Sequence, residues 1–166
     1  MEPVYLGALP DEAEIAARRD RYWRPYHDAL RSALDAAVER HGFALLWDAH
    51  SISAVVPKLF DGTLPDLNMG TAAGEACGED ARAAAFGVCQ ASGFSAVLDG
   101  RFKGGFITRH YGAPARGVHA IQMELAKTTH LAPDNRIDEA LASRLRPVLE
   151  SAMEAALDAL GDGLEA

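Results

Sequence analysis

Apolar residues recur at spacings of three and four from Ile15 through Tyr22, Tyr26, Leu30, Leu34, Ala37 and Val38, the period of one helical face. The pattern predicts a long helix from Pro10, with Asp11, Glu12 and Glu14 near its positive end, a kink or split at Pro25 and a stop at Gly42. The period then disappears. Phe43 to His50, FALLWDAH, is a nearly continuous apolar run and predicts a strand buried on both faces, as in a parallel sheet. Residues 57–74 are rich in Gly, Pro, Asp and Asn without periodicity and predict a long loop. EDARAAAFGVCQAS predicts a helix, SAVLDG a strand, and GGFITRHYG a short strand or hairpin arm. Val118 to Ala126 alternates, with His119, Ile121, Met123 and Leu125 on one face and Ala120, Gln122 and Glu124 on the other. From Arg136 to about Leu160 an alanine- and leucine-rich stretch predicts a closing helix, with a break at Pro147. Helices alternating with strands predict an α/β fold, a mainly parallel or mixed sheet flanked by helices, as a single domain over residues 1–166.

In such sheets ligands sit beyond the carboxyl ends of the strands. Asp48 and His50 fall at that end of the first predicted strand, followed by Ser51. An imidazole with a nearby carboxylate suits a metal ligand and its orienting partner; it equally suits a histidine that caps a strand end. Glu124 lies within an apolar, strand-like segment, and a carboxylate in a partly dry pocket can act as general base and acid, unless its face is simply wet. Arg101, Lys103 and Arg109 place three cations in a glycine-spaced stretch, which suits carboxylate capture or a solvated basic hairpin. His27, His41 and His119 read as surface or packing residues, and His110, beside Arg109, stays open. No phosphate loop, dinucleotide glycine fingerprint or G-x-S-x-G elbow occurs, so Ser51 and Ser53 lack the setting of a serine nucleophile.

Composition narrows the partners. The chain has 166 residues, 49% of them hydrophobic and 24% charged, enough for one domain with a real core. Its formal net charge of −8 argues against nucleic acid or an acidic membrane as the main partner, but leaves room for a small anionic substrate held by local cations. No apolar run approaches the roughly 18–20 residues of a membrane span. The N-terminal MEPVYLGALPDE has no basic and long apolar leader pattern, so the cytoplasm is the default expectation. Cys77 and Cys89 form no CxxC pair and read as free thiols.

The stretches RRDRYWRPYHDAL, HGFALLWDAHSI, PKLFDGTLPDLNMGT, DGRFKGGFITRHYG and GVHAIQMELA resemble, in order, those of the N-formylglutamate amidohydrolase (N-formylglutamate deformylase) family. The resemblance implies a zinc-carboxypeptidase-like (phosphorylase/hydrolase-like) fold. It implies zinc-dependent hydrolysis of the linear amide N-formyl-L-glutamate to formate and L-glutamate, a step in histidine degradation. It makes His50 a zinc ligand, Asp48 its support, Glu124 the catalytic carboxylate, and Arg101, Lys103 and Arg109 the carboxylate-binding groups. It also implies a preceding N-terminal segment with further zinc ligands. The expectation is therefore a truncated form, the C-terminal part of such a domain, with one clear ligand and impaired activity. Self-association through the surface that the segment would cover is a further expectation. His130 in AKTTHLAP departs from the family pattern, where an aromatic is expected. Two other functions stay open: a non-catalytic module that binds an acidic amino-acid derivative, and a zinc amidohydrolase for another N-acyl acidic amino acid.

Overall fold

The computed structural model describes Tyr5 and residues 7–165. Met1 to Val4 and Leu6, part of the stretch read as lacking a leader, lie outside the described residues. The first helical segment starts at α1 (Glu12–Arg18), where the Asp11 side chain accepts a hydrogen bond from the Glu14 N–H at 2.8 Å. It runs without interruption through a π-helical turn, Arg19–Trp23, into α2 (Arg24–His41). The predicted break thus falls just before Pro25, not at it. Proline has no N–H to give and its ring crowds the carbonyl four residues back, so the wider turn opens at that point. Gly42 ends α2 in the left-handed conformation, φ 81°.

Four strands follow: β1 (Ala44–Ile52), β2 (Leu67–Gly70), β3 (Ala96–Leu98) and β4 (Val118–Ala126), in the spatial order β1-β4-β2-β3. β1 runs parallel to β4 and β2 parallel to β3, while β2 and β4 are antiparallel, so the sheet is mixed. The mixed α/β class therefore stands as expected. Four local expectations do not. β1, expected to be buried on both faces, is exposed from Ala49 to Ser51, because among the described residues it has a strand on one side and helical cover only over its first half. β2 lies inside the predicted loop: its four residues are all buried, and Asn68 and Gly70 hide the apolar pattern that would have shown it. GGFITRHYG contains a helix, α4 (Phe106–Tyr111), with Thr108 and Tyr111 turned inward three residues apart, a helical spacing that β-favouring Phe, Ile and Thr masked. α5 (Glu139–Glu165) passes through Pro147 unbroken. The helix starts after Asp138, whose carboxylate accepts from the Ala140 and Leu141 N–H groups.

The two faces of the sheet are covered differently. α3 (Glu79–Ala91) and α5 pack on one face, where Leu45, Trp47, Ile121, Met123, Leu67 and Met69 point. Ala81, Ala85 and Cys89 on α3 recur every fourth residue, and Ala152 and Ala156 answer them on α5, so the two backbones approach closely. On the other face α2 and α4 cover only the amino-terminal half of the sheet, through Leu34, Tyr111, Ala44, Leu46 and Val118. The carboxyl-terminal half of that face carries the polar residues. Cys77 and Cys89 are both free and buried, and among the described residues no helix is long and apolar enough to cross a membrane.

Candidate functional site

The parallel register of β1 and β4 pairs Asp48 with Gln122 and His50 with Glu124. The antiparallel register of β2 and β4 pairs Asn68 with Glu124 and Gly70 with Gln122. Residues directly opposite in a sheet point to the same face, so three strands bring Asp48, His50, Gln122, Glu124 and Asn68 onto one polar patch. Asp48 and His50 share the face because they are two apart, and their side chains meet, His50 Nε2 to Asp48 Oδ1 at 2.9 Å.

The patch grades from wet to dry. The His50 side chain is 46% exposed and that of Asp48 17%. Glu124 is buried at 7% and Asn68 at 1%. Burial pushes the Glu124 carboxyl above its ordinary range; nearby His50 pulls it back, and Asp48 pushes it further up. The Asn68 amide is oriented by two carbonyls, since Nδ2 donates to Pro65 O at 2.7 Å and Glu124 O at 3.1 Å. That leaves its buried Oδ1 without a protein donor.

The glycine-spaced cationic stretch does cross this face, as backbone. Gly105 N–H donates to Gln122 Oε1 at 2.7 Å, and Ala72 N–H to Lys103 O at 2.6 Å. A Cβ on Gly70 would meet Gly104 N and Lys103 C at 2.6 Å, so glycine there permits the crossing. The side chains of Arg101, Lys103 and Arg109 are exposed. Arg101 donates to Leu59 O and Arg109 to Gly104 O, which ties two of the three back to the loops that frame the patch.

Behind the crossing stands Asp99, itself left-handed at φ 49°. Its carboxylate accepts from Thr71 N–H at 2.7 Å, Thr71 Oγ1 at 2.6 Å and Ala73 N–H at 3.1 Å. It holds Ala72 and Ala73 in the left-handed region, φ 54° and 58°. Arg82 approaches it at 3.6 Å. Sequence reasoning passed over Asn68, Gln122 and Asp99. A lone amide inside the apolar LNMG was the available signal for Asn68, lost once that segment was read as loop.

Of the remaining histidines, His41 is exposed at the end of α2 and the other four are held by neighbours. His27 is buried, with Nδ1 2.6 Å from the Tyr111 hydroxyl and Trp23 and Phe106 around it. His119 accepts from the Gly78 N–H at Nδ1, 3.0 Å, and burial lowers its pKa. His110 lies 3.1 Å from Arg31 and stacks on Phe106. His130 is bonded to Thr129. A catalytic zinc normally takes three protein ligands. Among the described residues no group of three or more His, Cys, Asp or Glu is placed to hold a metal ion. Of the patch residues with ligand chemistry, His50 has the exposed imidazole and Asp48 a carboxylate 2.9 Å from it.

Residues 1–131 match the family described as N-formylglutamate amidohydrolase. Over 160 residues the chain is 46% identical to an N-formylglutamate deformylase of Pseudomonas putida, covering 94% of this chain and 60% of that protein. It is 48% identical over 160 residues to an N-formylglutamate deformylase of Pseudomonas aeruginosa, covering 90% and 59%. The chain thus spans about three-fifths of the length of these curated relatives. The fold matches the crystal structure of an N-formylglutamate amidohydrolase from Ralstonia eutropha with a TM-score of 0.74 at 22% identity, over 89% of this chain and 54% of that one. A gene product of Agrobacterium tumefaciens matches with a TM-score of 0.66 at 18% identity, over 91% and 56%.

Proposed function

The chain belongs to the N-formylglutamate amidohydrolase family, and from that premise we propose that its polar patch serves the hydrolysis of N-formyl-L-glutamate to formate and L-glutamate. One observation carries the reading: the sheet register sets buried Glu124 directly opposite His50 at the carboxyl ends of two parallel strands. Glu124, ionised, takes a proton from a water as that water attacks the formyl carbon. The carbon–nitrogen bond then breaks, and the same carboxyl delivers the proton to the leaving amine nitrogen. Burial suits it to both steps, because a raised pKa brings the two protonation states closer in energy near neutral pH. Asn68, directly opposite Glu124, donates from Nδ2 to the Glu124 backbone carbonyl and so steadies that residue on its strand. Arg101, Lys103 and Arg109 receive the two carboxylates of the substrate, a task for which a guanidinium fork is better shaped than an ammonium.

Zinc remains part of this proposal through His50 alone, with Asp48 orienting the imidazole. The described residues do not by themselves fit a zinc ion, and the steps above are those that Glu124 and its neighbours perform. The same reading assigns the sheet to the zinc-carboxypeptidase-like architecture, supported by its mixed strand directions and by a site beyond parallel strand ends. The test is formate release from N-formyl-L-glutamate by the purified chain and by Glu124→Gln. Release that disappears in the variant supports the reading; equal rates in both overturn it.

The shortage of metal ligands favours a second reading, a non-catalytic module that binds an acidic amino-acid derivative. Calorimetric titration separates the two. Saturable binding of N-formyl-L-glutamate without turnover, insensitive to added zinc, selects the module.

A further inference from the structure

Gln122 is a polar side chain in the middle of β4, buried at 5%, with Asp48 and Gly70 as its register partners on β1 and β2. A buried amide needs a bond to be tolerated there. Its Oε1 accepts from the Gly105 N–H at 2.7 Å. Only the oxygen of an amide group can accept from an N–H, so the bond fixes which way the group faces. Gly105 ends the backbone crossing that begins after Asp99, and that crossing is held along its length. At its start the Asp99 carboxylate accepts from the Thr71 and Ala73 N–H groups. In its middle Lys103 O accepts from the Ala72 N–H, and Gly70 leaves no room for a Cβ beneath Gly104. Gly104 itself, at φ 111°, packs on Thr108, whose Cβ an added Cβ would meet at 2.8 Å. At its end the sheet reaches up through Gln122. Gly105 is also the residue from which α4, the helix bearing Arg109, departs. The cations proposed to receive the substrate's carboxylates therefore flank the atom that Gln122 holds, with Arg101 and Lys103 before it and Arg109 after it.

Gln122 and Glu124 are two residues apart on one strand, so they share a face and stand roughly 6–7 Å apart along it. A single strand thus carries the carboxyl that works at the formyl end and the amide that anchors the cations at the carboxylate end. Two groups at a fixed spacing measure the length of what lies between them. We propose that Gln122 is a positioning residue that acts through Gly105 to set chain-length selectivity: an N-formyl dicarboxylic amino acid of glutamate length is preferred to the aspartate homologue, one methylene shorter. This role rests on the patch receiving N-formyl-L-glutamate, as proposed above. A shift of the crossing by a fraction of the methylene length would blur the measurement without touching Glu124. Of the contacts that hold the crossing, the Gln122 bond is the one that a substitution removes without adding bulk or straining the backbone.

The test compares N-formyl-L-glutamate with N-formyl-L-aspartate on the full chain, by kcat/KM for formate release and by Kd in calorimetric titration. The parent is expected to favour the glutamate by about tenfold or more, the scale of one methylene. Gln122→Met and Gln122→Leu lack the acceptor and are expected to bring that preference below about threefold. Gln122→Glu keeps an oxygen for the Gly105 N–H. Its added charge opposite Asp48 weakens both substrates together, and the preference stays near the parent's. A variant that merely folds less well loses both substrates in the same proportion, so a structural role alone leaves the ratio where it was. An apolar variant with the parent's ratio overturns the proposal. So does a Gln122→Glu chain that loses the ratio as the apolar variants do, or a parent that binds neither compound or does not discriminate. A preference seen in Kd, lost in Gln122→Met, with no formate released by the parent supports the role of Gln122 and overturns hydrolysis instead.

Discussion

β1 and β4 have the same length, run in the same direction and pair residue for residue, yet they live in different solvents. β4 is buried along nearly its whole length, polar residues included. β1 is buried at Ala44 and open by Ala49. The apolar content of the two segments does not explain this; FALLWDAH is the more hydrophobic run at its start. Position in the sheet explains it. Among the described residues β4 has strands on both sides and helices on both faces, whereas β1 has one strand and loses its helical cover halfway along. The lesson is that a strand's burial belongs to its neighbours, and that a site can be assembled by laying a dry strand beside a wet one. Glu124 gains its raised pKa from β4, and His50 its accessibility from β1.

The largest blow to this contrast is chemical. Glu124→Gln keeps the shape of the dry strand but removes its ionisable carboxyl, and under the proposed function formate release should fall by about 10²–10⁴, or roughly 3–5 kcal/mol of barrier. Next is packing. Ile121→Ala on β4 should lower unfolding stability by about 2–5 kcal/mol in a denaturant titration, since Ile121 is wholly buried. Third is pH. His119 on β4 is held neutral, its pKa lowered by burial and its Nδ1 engaged by Gly78. A buried group with a depressed histidine pKa resists protonation in the fold but not in the unfolded chain. Its contribution is therefore intact above the ordinary value near 6.5 and is lost as pH falls through the depressed one. Thermal unfolding below pH 6.5 should show that decline, and His119→Gln should flatten it. Smaller still is metal: zinc analysis of the purified chain should give less than one ion per chain, falling further in His50→Asn. Smallest is Ser51→Ala on the wet strand, within about 0.5 kcal/mol of the parent.

The same contrast marks what could be read from the sequence. β4, α3 and the closing helix have undiluted periodicity, so their existence and facing were visible in the chain. Asp48 and His50 were legible as candidates because strand ends are where α/β sheets put chemistry, and Glu124 because it stands inside an apolar, strand-like segment. That His50 and Glu124 face each other was not, since register is a property of two segments and neither records it alone. β1 was misread as buried on both faces because an apolar run carries no sign of how many neighbours the strand will have. β2 was missed because Asn68 and Gly70 serve the site and the backbone crossing rather than the apolar pattern. α4 was read as extended because Phe106 and Ile107 favour strands, and only packing of Thr108 and Tyr111 against the sheet decides otherwise. Pro147 was read as a break because the support that α5 draws from α3 is tertiary.

The π-helical turn before Pro25 has a consequence for the ancestry of the long helix. A π turn is equivalent to one extra residue inside an α-helix. Taking one residue out of Arg19–Trp23 would close the turn into ordinary α-helix and swing the Glu12–Arg18 segment by about 100° about its axis. Ile15 would then leave its present bearing while Leu34 and the rest of α2 kept theirs. A single-codon deletion there is thus a rotation rather than a shortening. Relatives that differ by one residue in this stretch should present different faces of an otherwise unchanged helix.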